Sequence, residues 1–142
     1  ETAAAILSLM ENQKLVAEGA GAVPVAAALF HKLPIEGKKV VCLISGGNID
    51  VNILSRVITR GLQREGRNCL LTIALDDKPG QLFVVSQIAA SVGANIISVY
   101  HERNDDTSNV TACWLRVQVE TRNAEHVQEL HLALKNAGLK LI

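Results

Sequence analysis

Ser45, Gly46, Gly47 and Asn48 form the first pattern in the sequence that could bind a ligand. The preceding residues 40–44 are all apolar, which predicts a strand that is covered on both faces. A ligand at the following turn would meet the end of this strand and the N-terminus of the next helix, which is the usual binding place in open α/β sheets. The alternative is an ordinary turn between a strand and a helix.

A second turn, which contains Asp77, Pro79 and Gly80, could bind an amino acid. Pro79 and Gly80 favour a tight bend. The first N–H groups of the predicted helix 81–92 have no partners within the helix and could bind an α-carboxylate. Asp77 could accept hydrogen bonds from an α-amino group, and Asn95 of a neighbouring copy could add an amide. The alternative is a purely structural turn in an oligomerisation domain.

The elements that position the first pattern belong to an α/β arrangement. Helices are predicted at residues 3–17 and 23–32, with a flexible glycine-rich bend at 18–22 between them. Pro24 would lie in the first turn of the second helix, where proline is tolerated. The strand 40–44 and an amphipathic helix follow. The order helix, helix, strand, helix predicts a piece of a larger sheet with helices against it.

That last helix is predicted at residues 50–64, and a linker at 64–68 separates it from a second part of the chain. Alternating apolar and polar residues in this second part predict half-buried strands. The predicted elements are a strand 69–75, a helix 81–92, a strand 95–103, a hairpin turn 104–109, a strand 110–120, a helix 124–136 and a strand 139–142. This order is the ferredoxin-like plan, which places two helices on one face of a four-stranded antiparallel sheet.

Composition excludes several classes of partner. The formal net charge is zero and only 3% of the residues are aromatic, which argues against nucleic-acid binding. No apolar stretch approaches the roughly 20 residues of a membrane span, and residues 1–15 are amphipathic rather than a signal peptide. The chain does not begin with Met, which indicates a fragment or a processed product.

Cysteine and histidine patterns give no metal site. Three cysteines lie in separate apolar runs, which predicts reduced core thiols and a cytoplasmic protein. His126 and His131 are five residues apart and miss the spacing of a helical metal pair. We therefore expect no bound metal. Trp114 alternates away from the apolar face of its strand, which makes it a candidate oligomer contact.

Four segments carry a resemblance to a known family. Residues 18–22 (Glu-Gly-Ala-Gly-Ala) and 45–50 (Ser-Gly-Gly-Asn-Ile-Asp) resemble C-terminal motifs of threonine dehydratases, which are fold-type II pyridoxal-phosphate (PLP) enzymes. Residues 77–82 (Asp-Lys-Pro-Gly-Gln-Leu) and 93–96 (Gly-Ala-Asn-Ile) resemble the signatures of ACT domains. The resemblance implies a C-terminal fragment of the catalytic domain at residues 1–66 and an amino-acid-binding ACT domain at residues 67–142.

The resemblance also implies roles for individual residues. In the family, the serine hydroxyl hydrogen-bonds the pyridine nitrogen of PLP, so Ser45 would do so here. The full set of implied cofactor-binding residues is Ser45, Gly46, Gly47, Asn48 and Glu18. The implied effector-binding residues are Asp77, Gly80, Gln81, Leu82, Asn95 and Ile96. For Glu18 the alternative is an exposed carboxylate at a helix end.

The implied parent enzyme deaminates L-threonine to 2-oxobutanoate and ammonia, with L-serine as a poorer substrate. The family's cofactor-binding lysine segment and phosphate loop have no match in this chain, so we expect no catalysis and no bound PLP from the chain alone. The expected partners are the remainder of the catalytic domain, an effector (isoleucine, valine, threonine or serine) and further copies of the chain through ACT sheet edges. The apolar strand 40–44, without its larger sheet, should pack against a partner, swap or be disordered.

Overall fold

The computed structural model describes residues 1–103 and 112–142. These residues form two compact units, Glu1–Gly61 and Leu62–Ile142, whereas the predicted domain boundary lies between residues 66 and 67. The predicted hairpin turn 104–109 and the first two residues of the predicted strand 110–120 lie outside the described residues. Among the described residues, no helix is both long and apolar enough to cross a bilayer.

The first unit begins with two helices, α1 (Thr2–Ser8) and α2 (Gly19–Leu29). A π-helical turn, Leu9–Gln13, continues α1. The predicted helix 3–17 is therefore too long: Lys14 adopts a left-handed conformation, with φ at 59°, and ends the helical path. The side chain of Lys14 donates a hydrogen bond to the carbonyl oxygen of Glu11, which helps to close this end.

The predicted glycine-rich bend at residues 18–22 is wrong, because α2 already begins at Gly19. Gly21 and Ala22 are buried. Because glycine has no side chain and alanine only a methyl group, this first turn of the helix can approach its neighbours closely. The earlier start also places Pro24 inside the helix rather than in its first turn. Small residues form most of the core of this unit: Ala5, Ile6, Leu9, Ala17, Ala22 and Ala26.

The predicted strand 40–44 is also wrong, because these residues belong to no helix or strand. A strand needs a neighbour to complete its hydrogen-bond ladder, and the unit Glu1–Gly61 contains no other strand. As a result Val41 and Leu43 are 95% and 76% exposed, although Ile44 packs against the core of the unit. The apolar run therefore does not form a strand within this unit.

Helix α3 (Val51–Arg64) begins one residue later than predicted. The carboxylate of Asp50 accepts hydrogen bonds from the backbone N–H groups of Asn52 and Ile53, at 2.8 and 3.1 Å. Asp50 is thus the residue that caps the helix, and the cap satisfies two of the N–H groups that a helix start leaves open.

The second unit is built on a four-stranded sheet in the order β2-β3-β1-β4. The strands are β1 (Asn68–Asp76), β2 (Asn95–Arg103), β3 (Ala112–Glu120) and β4 (Lys140–Leu141), and every neighbouring pair is antiparallel. This arrangement confirms the predicted four-stranded antiparallel sheet and is compatible with the ferredoxin-like fold. The last strand is shorter than the predicted 139–142.

Helices α4 (Gln81–Ser91) and α5 (Ala124–Asn136) pack on one face of this sheet. The shared core contains Leu71, Ile73, Val85, Ala89, Ala94, Leu115, Val117, Val119, Leu130 and Leu134. Alternate residues of β1 and β3 contribute to it, as the period of two predicts. Leu82 was expected on the buried side of α4 but is 48% exposed, because it lies in the first turn, where the helix extends past the core.

Candidate functional site

The predicted cofactor residues of the first unit lie together. The backbone N–H of Glu18 donates a hydrogen bond to the carbonyl oxygen of Gly46, at 3.0 Å. The side chain of Glu18 lies directly against Gly46, so that an added Cβ there would be 2.6 Å from the Glu18 carboxylate oxygen Oε1. Two segments separated by almost thirty residues therefore form one surface, as the resemblance implies.

Glycine is required here because the backbones approach too closely for a side chain. A Cβ on Gly21 would lie 2.7 Å from the carbonyl oxygen of Gly46, and a Cβ on Gly47 would lie 2.8 Å from that of Val16. Both distances are shorter than real carbon contacts, so the three glycines fix the loop against the start of α2. Ser45 and Asn48, at the two ends of this loop, are exposed.

The second unit contains a cavity of about 650 Å³ beside the turn that follows β1. Four of the predicted effector residues line it: Asp77, Gly80, Gln81 and Leu82. The rest of the turn region, Leu75, Asp76, Lys78 and Pro79, also lines it. The sequence analysis missed the lining residues on β2 and β3, which are Val99, His101, Arg103, Cys113 and Leu115. The cavity therefore joins a polar turn to the ends of β2 and β3, with an apolar floor between them.

Basic groups bracket the carboxylate of Asp77. Its Oδ2 accepts a hydrogen bond from Nε of Arg103 at 2.8 Å, and its Oδ1 lies 3.6 Å from Nε2 of His101. The carboxylate is about one-third exposed, so part of its interaction with Arg103 is screened by solvent. Asp77 is thus oriented by β2 rather than pointing freely into the cavity.

The start of α4 adds backbone donors to the same cavity. Gly80 precedes the helix with φ at 91°, a left-handed conformation that glycine adopts without strain. Among residues 1–103 and 112–142, no side chain caps the helix at this position, so its first N–H groups could meet an acceptor such as a carboxylate. Burial raises the pKa of the Cys113 thiol; the negative charge of Asp77 adds to this effect, and Arg103 opposes it.

Asn95 and Ile96 do not reach this cavity within one chain. They begin β2, whereas the part of β2 that lines the cavity runs from Val99 to Arg103. At a rise of about 3.3 Å per residue, Val99 lies about 10 Å beyond Ile96 along the strand. The amide of Asn95 donates instead to the carboxylate of Glu120, at 2.8 Å. The predicted effector residues are therefore not one cluster in a single copy of the chain.

Strand alternation is the signal that could have found the missing residues. Val99, His101 and Arg103 lie at alternate positions of β2 and so share the sheet face that carries the helices. The register pairs His101 with Leu115 and Arg103 with Cys113. His101 and Arg103, at the end of β2, thus lie on the same sheet face as the core but beyond the helices. There both side chains contact Asp77.

Two of the four histidines, His126 and His101, have contrasting surroundings. His126 is buried: its Nδ1 accepts a hydrogen bond from the backbone N–H of Arg122 at 3.0 Å, and its Nε2 lies 2.8 Å from the carbonyl oxygen of Val92. This geometry requires a neutral ring that carries its proton on Nε2. Because both ring nitrogens contact backbone groups, His126 has a structural role. His101, by contrast, is exposed at the cavity.

Comparison with known proteins gives close relatives along the whole chain, although no protein-family model matches it. A protein named L-threonine ammonia-lyase from Thermotoga maritima is 43% identical over 141 residues, which are 99% of this chain and 35% of the relative. One of the same name from Geobacter sulfurreducens is 41% identical over 97% of this chain and 34% of the relative. A protein named catabolic L-threonine dehydratase from Staphylococcus aureus is 49% identical over 61 residues, 41% of this chain and 18% of the relative.

The chain spans about a third of the length of the two relatives that match it almost completely. This partial coverage is consistent with the predicted C-terminal portion of a longer enzyme. The relationship to threonine dehydratases inferred from residues 18–22 and 45–50 is confirmed, because the alignments at 41–43% identity span 97–99% of the chain and so include both units. This chain is therefore a homologue of the threonine ammonia-lyases, also named threonine dehydratases, and corresponds to one portion of them.

Proposed function

We propose that this chain is the C-terminal part of a PLP-dependent threonine ammonia-lyase of the cytoplasm. The parent enzyme would deaminate L-threonine to 2-oxobutanoate and ammonia, with L-serine as a poorer substrate. The observation that carries the proposal is the identity of 41–43% to proteins named for this activity over 97–99% of the chain. The first unit would belong to the catalytic domain and the second would be an ACT domain.

The first unit would contribute one edge of the cofactor site. A serine hydroxyl, a carboxylate and a glycine loop without room for side chains form a donor set that fits the ring of PLP, which supplies an electron sink when bound. Ser45 would donate a hydrogen bond to the ring nitrogen and leave it unprotonated, which suits elimination of water from a hydroxy amino acid. Gly46, Gly47, Asn48 and Glu18 would shape the same edge.

The chain alone would not be an enzyme, because the lysine and the phosphate loop of the family have no match in its sequence. The remainder of the catalytic domain would be its first partner. Residues 40–44 would then become a strand of the parent's sheet, which explains why an apolar run is so exposed in this unit.

Replacing Ser45 in the parent tests the catalytic assignment. Ser45→Ala should lower kcat for threonine and shift the absorption spectrum of bound PLP, because the hydrogen bond to the ring nitrogen is lost. Ser55→Ala, at an exposed position of α3, is the matched control and should leave both unchanged. A parent that carries this chain and forms no 2-oxobutanoate from threonine would overturn the proposed activity.

The second unit would act as a sensor of an amino acid. The start of α4, which no described side chain caps, could bind the α-carboxylate. Asp77 could bind the α-amino group if it exchanges one of its basic neighbours for the ligand. Asn95 and Ile96 would have to come from another copy of the chain, since they lie at the far end of β2. The cavity of about 650 Å³ has room for isoleucine, valine, threonine or serine.

A scaffold without a ligand is the second candidate. The sheet of the second unit has two edge strands, β2 and β4, and β2 is nine residues long. Edge strands present unpaired backbone groups that can pair with a second copy. In this case the ACT sheets would join subunits and the turn at Asp77 would be structural.

Calorimetric titration separates the two candidates. The chain is titrated with isoleucine, valine, threonine and serine in the presence of a chelator, and its mass is followed by sedimentation. Saturable heat from one of the four supports the sensor; Asp77→Ala should abolish it, whereas Glu125→Ala, an exposed acid on α5, should not. An oligomer that gives no heat with any of them supports the scaffold instead.

A further inference from the structure

Three side chains with metal-binding atoms meet at the cavity of the second unit: Asp77, His101 and Cys113. One ligand atom from each lies within 4.8 Å of the other two. They come from three different elements, the turn after β1, the end of β2 and the start of β3. The expectation of no metal site rested on the spacing of His126 and His131 and on the separation of the cysteines along the sequence. Neither pattern reveals that Asp77 and Cys113 lie beside His101 in space.

The separation between His101 and Asp77 is close to that of two ligands in a tetrahedral site. Zinc bonds of about 2.0–2.2 Å to nitrogen and oxygen and about 2.3 Å to sulfur place neighbouring ligands roughly 3.3–3.6 Å apart. The Nε2 of His101 already lies 3.6 Å from Oδ1 of Asp77. His101 is exposed, so its ring can adjust toward a shared ion without disturbing the core.

Arg103 holds the carboxylate in the orientation that such a site needs. Its Nε bonds Oδ2 of Asp77 at 2.8 Å and leaves Oδ1 on the side of His101. Carboxylates that bind metals are commonly oriented by a hydrogen bond of this kind. Cys113 is only 2% exposed, so its sulfur is fixed by the packing of β3 and can serve as the rigid corner of the site.

We propose that Asp77, His101 and Cys113 bind one borderline divalent cation of the zinc class, with its fourth position open to the cavity. Thiolate and imidazole select such ions over magnesium or calcium. Binding breaks the S–H bond of Cys113, and its proton goes to solvent. The thiolate and the carboxylate then balance the two charges of the ion, and Arg103 stays as the partner of the other carboxylate oxygen.

Cobalt(II) is the probe for this site, because a thiolate bound to it gives a near-ultraviolet charge-transfer band and tetrahedral coordination gives strong visible bands. The whole, fully reduced chain is titrated with cobalt(II) alone, and we expect both signals to saturate at one ion per chain and to vanish when zinc is added. Arg103→Gln should keep the bands and weaken zinc binding roughly 10- to 100-fold.

Variants locate the ion. Cys113→Ser and His101→Gln should lose the bands, whereas Cys69→Ser and His131→Gln, in the same unit but outside the cavity, should keep them. Circular dichroism checks that each variant is folded; if the buried Cys113→Ser is not, the exposed His101→Gln decides. A folded wild-type chain without a charge-transfer band, or a band that survives His101→Gln, overturns the proposal. Because the amino-acid titrations contain a chelator, the sensor and the metal site can fail independently.

Discussion

Similar apolar segments are buried in the second unit of this chain and largely exposed in the first. In the second unit, Val117 and Val119 of β3 are fully buried, because β1 and β2 pair with that strand and two helices cover it. In the first unit, the apolar residues 40–44 have no neighbouring strand, and Val41 is 95% exposed. The difference teaches that an apolar run specifies burial only when the other half of the packing is present.

Hydrogen exchange should show the largest difference between the units. Backbone amides of residues 115–119 should exchange more slowly than those of 40–44 by roughly three orders of magnitude or more, because a core strand opens only with global unfolding, which costs about 5 kcal/mol or more. Exchange followed residue by residue by NMR measures this. Equal protection of the two segments would break the comparison and would show that residues 40–44 pair with another chain.

Core truncation should have the next largest effect. Leu130 of α5 is fully buried, so Leu130→Ala should lower the free energy of unfolding by about 2–5 kcal/mol. Leu132 on the same helix is 59% exposed, and Leu132→Ala should change it by about 0.5 kcal/mol or less. Urea unfolding followed by the fluorescence of Trp114, the single tryptophan, reports on this unit. Similar losses for both variants would mean that α5 is covered on its outer face.

A glycine pair tests the packing of the first unit. Gly21→Ala would place a Cβ 2.7 Å from the carbonyl oxygen of Gly46 and should destabilise the unit by about 1–3 kcal/mol. Gly19→Ala, in the same turn of α2 with nothing within 4 Å, should be neutral or stabilising by a few tenths of a kcal/mol. Thermal melting followed by circular dichroism compares them. Identical melting of the two variants would contradict the close contact between α2 and the loop.

The pH dependence of stability should show the smallest effect. Burial raises the pKa of Cys69 and Cys113 above 9.0, so above that pH the unfolded chain loses thiol protons that the folded chain keeps. The stabilisation is complete below pH 9.0 and is lost as the pH rises through the folded values. Urea unfolding between pH 8 and pH 10.5 should show this decline, and it should be shallower in Cys69→Ser. If the substitution leaves the slope of the unfolding free energy against pH unchanged, Cys69 does not contribute to the pH dependence.

The sequence predicted most of the second unit because its signals are local. The bounds predicted for β2 and α5 agree with the structure, since alternation marks the strand and an asparagine cap and a glycine mark the ends of the helix. The predicted plan with a four-stranded antiparallel sheet follows from the same sequence of strands and helices. The turn before α4 was also predicted, because Pro79 and Gly80 favour a tight bend. Gln81 and Leu82, which also line the cavity, were named only through the family resemblance.

Only the tertiary structure decided where side chains distant in sequence meet. Asp77, His101 and Cys113 lie on three elements, and no spacing along the chain indicates that their ligand atoms come within 4.8 Å of one another. The same holds for residues 40–44, whose composition is that of a buried strand although their own unit, Glu1–Gly61, contains no strand. Local propensity depends on neighbours in the chain, whereas strand pairing and site geometry depend on neighbours in space, and those are set by the packing of the whole unit.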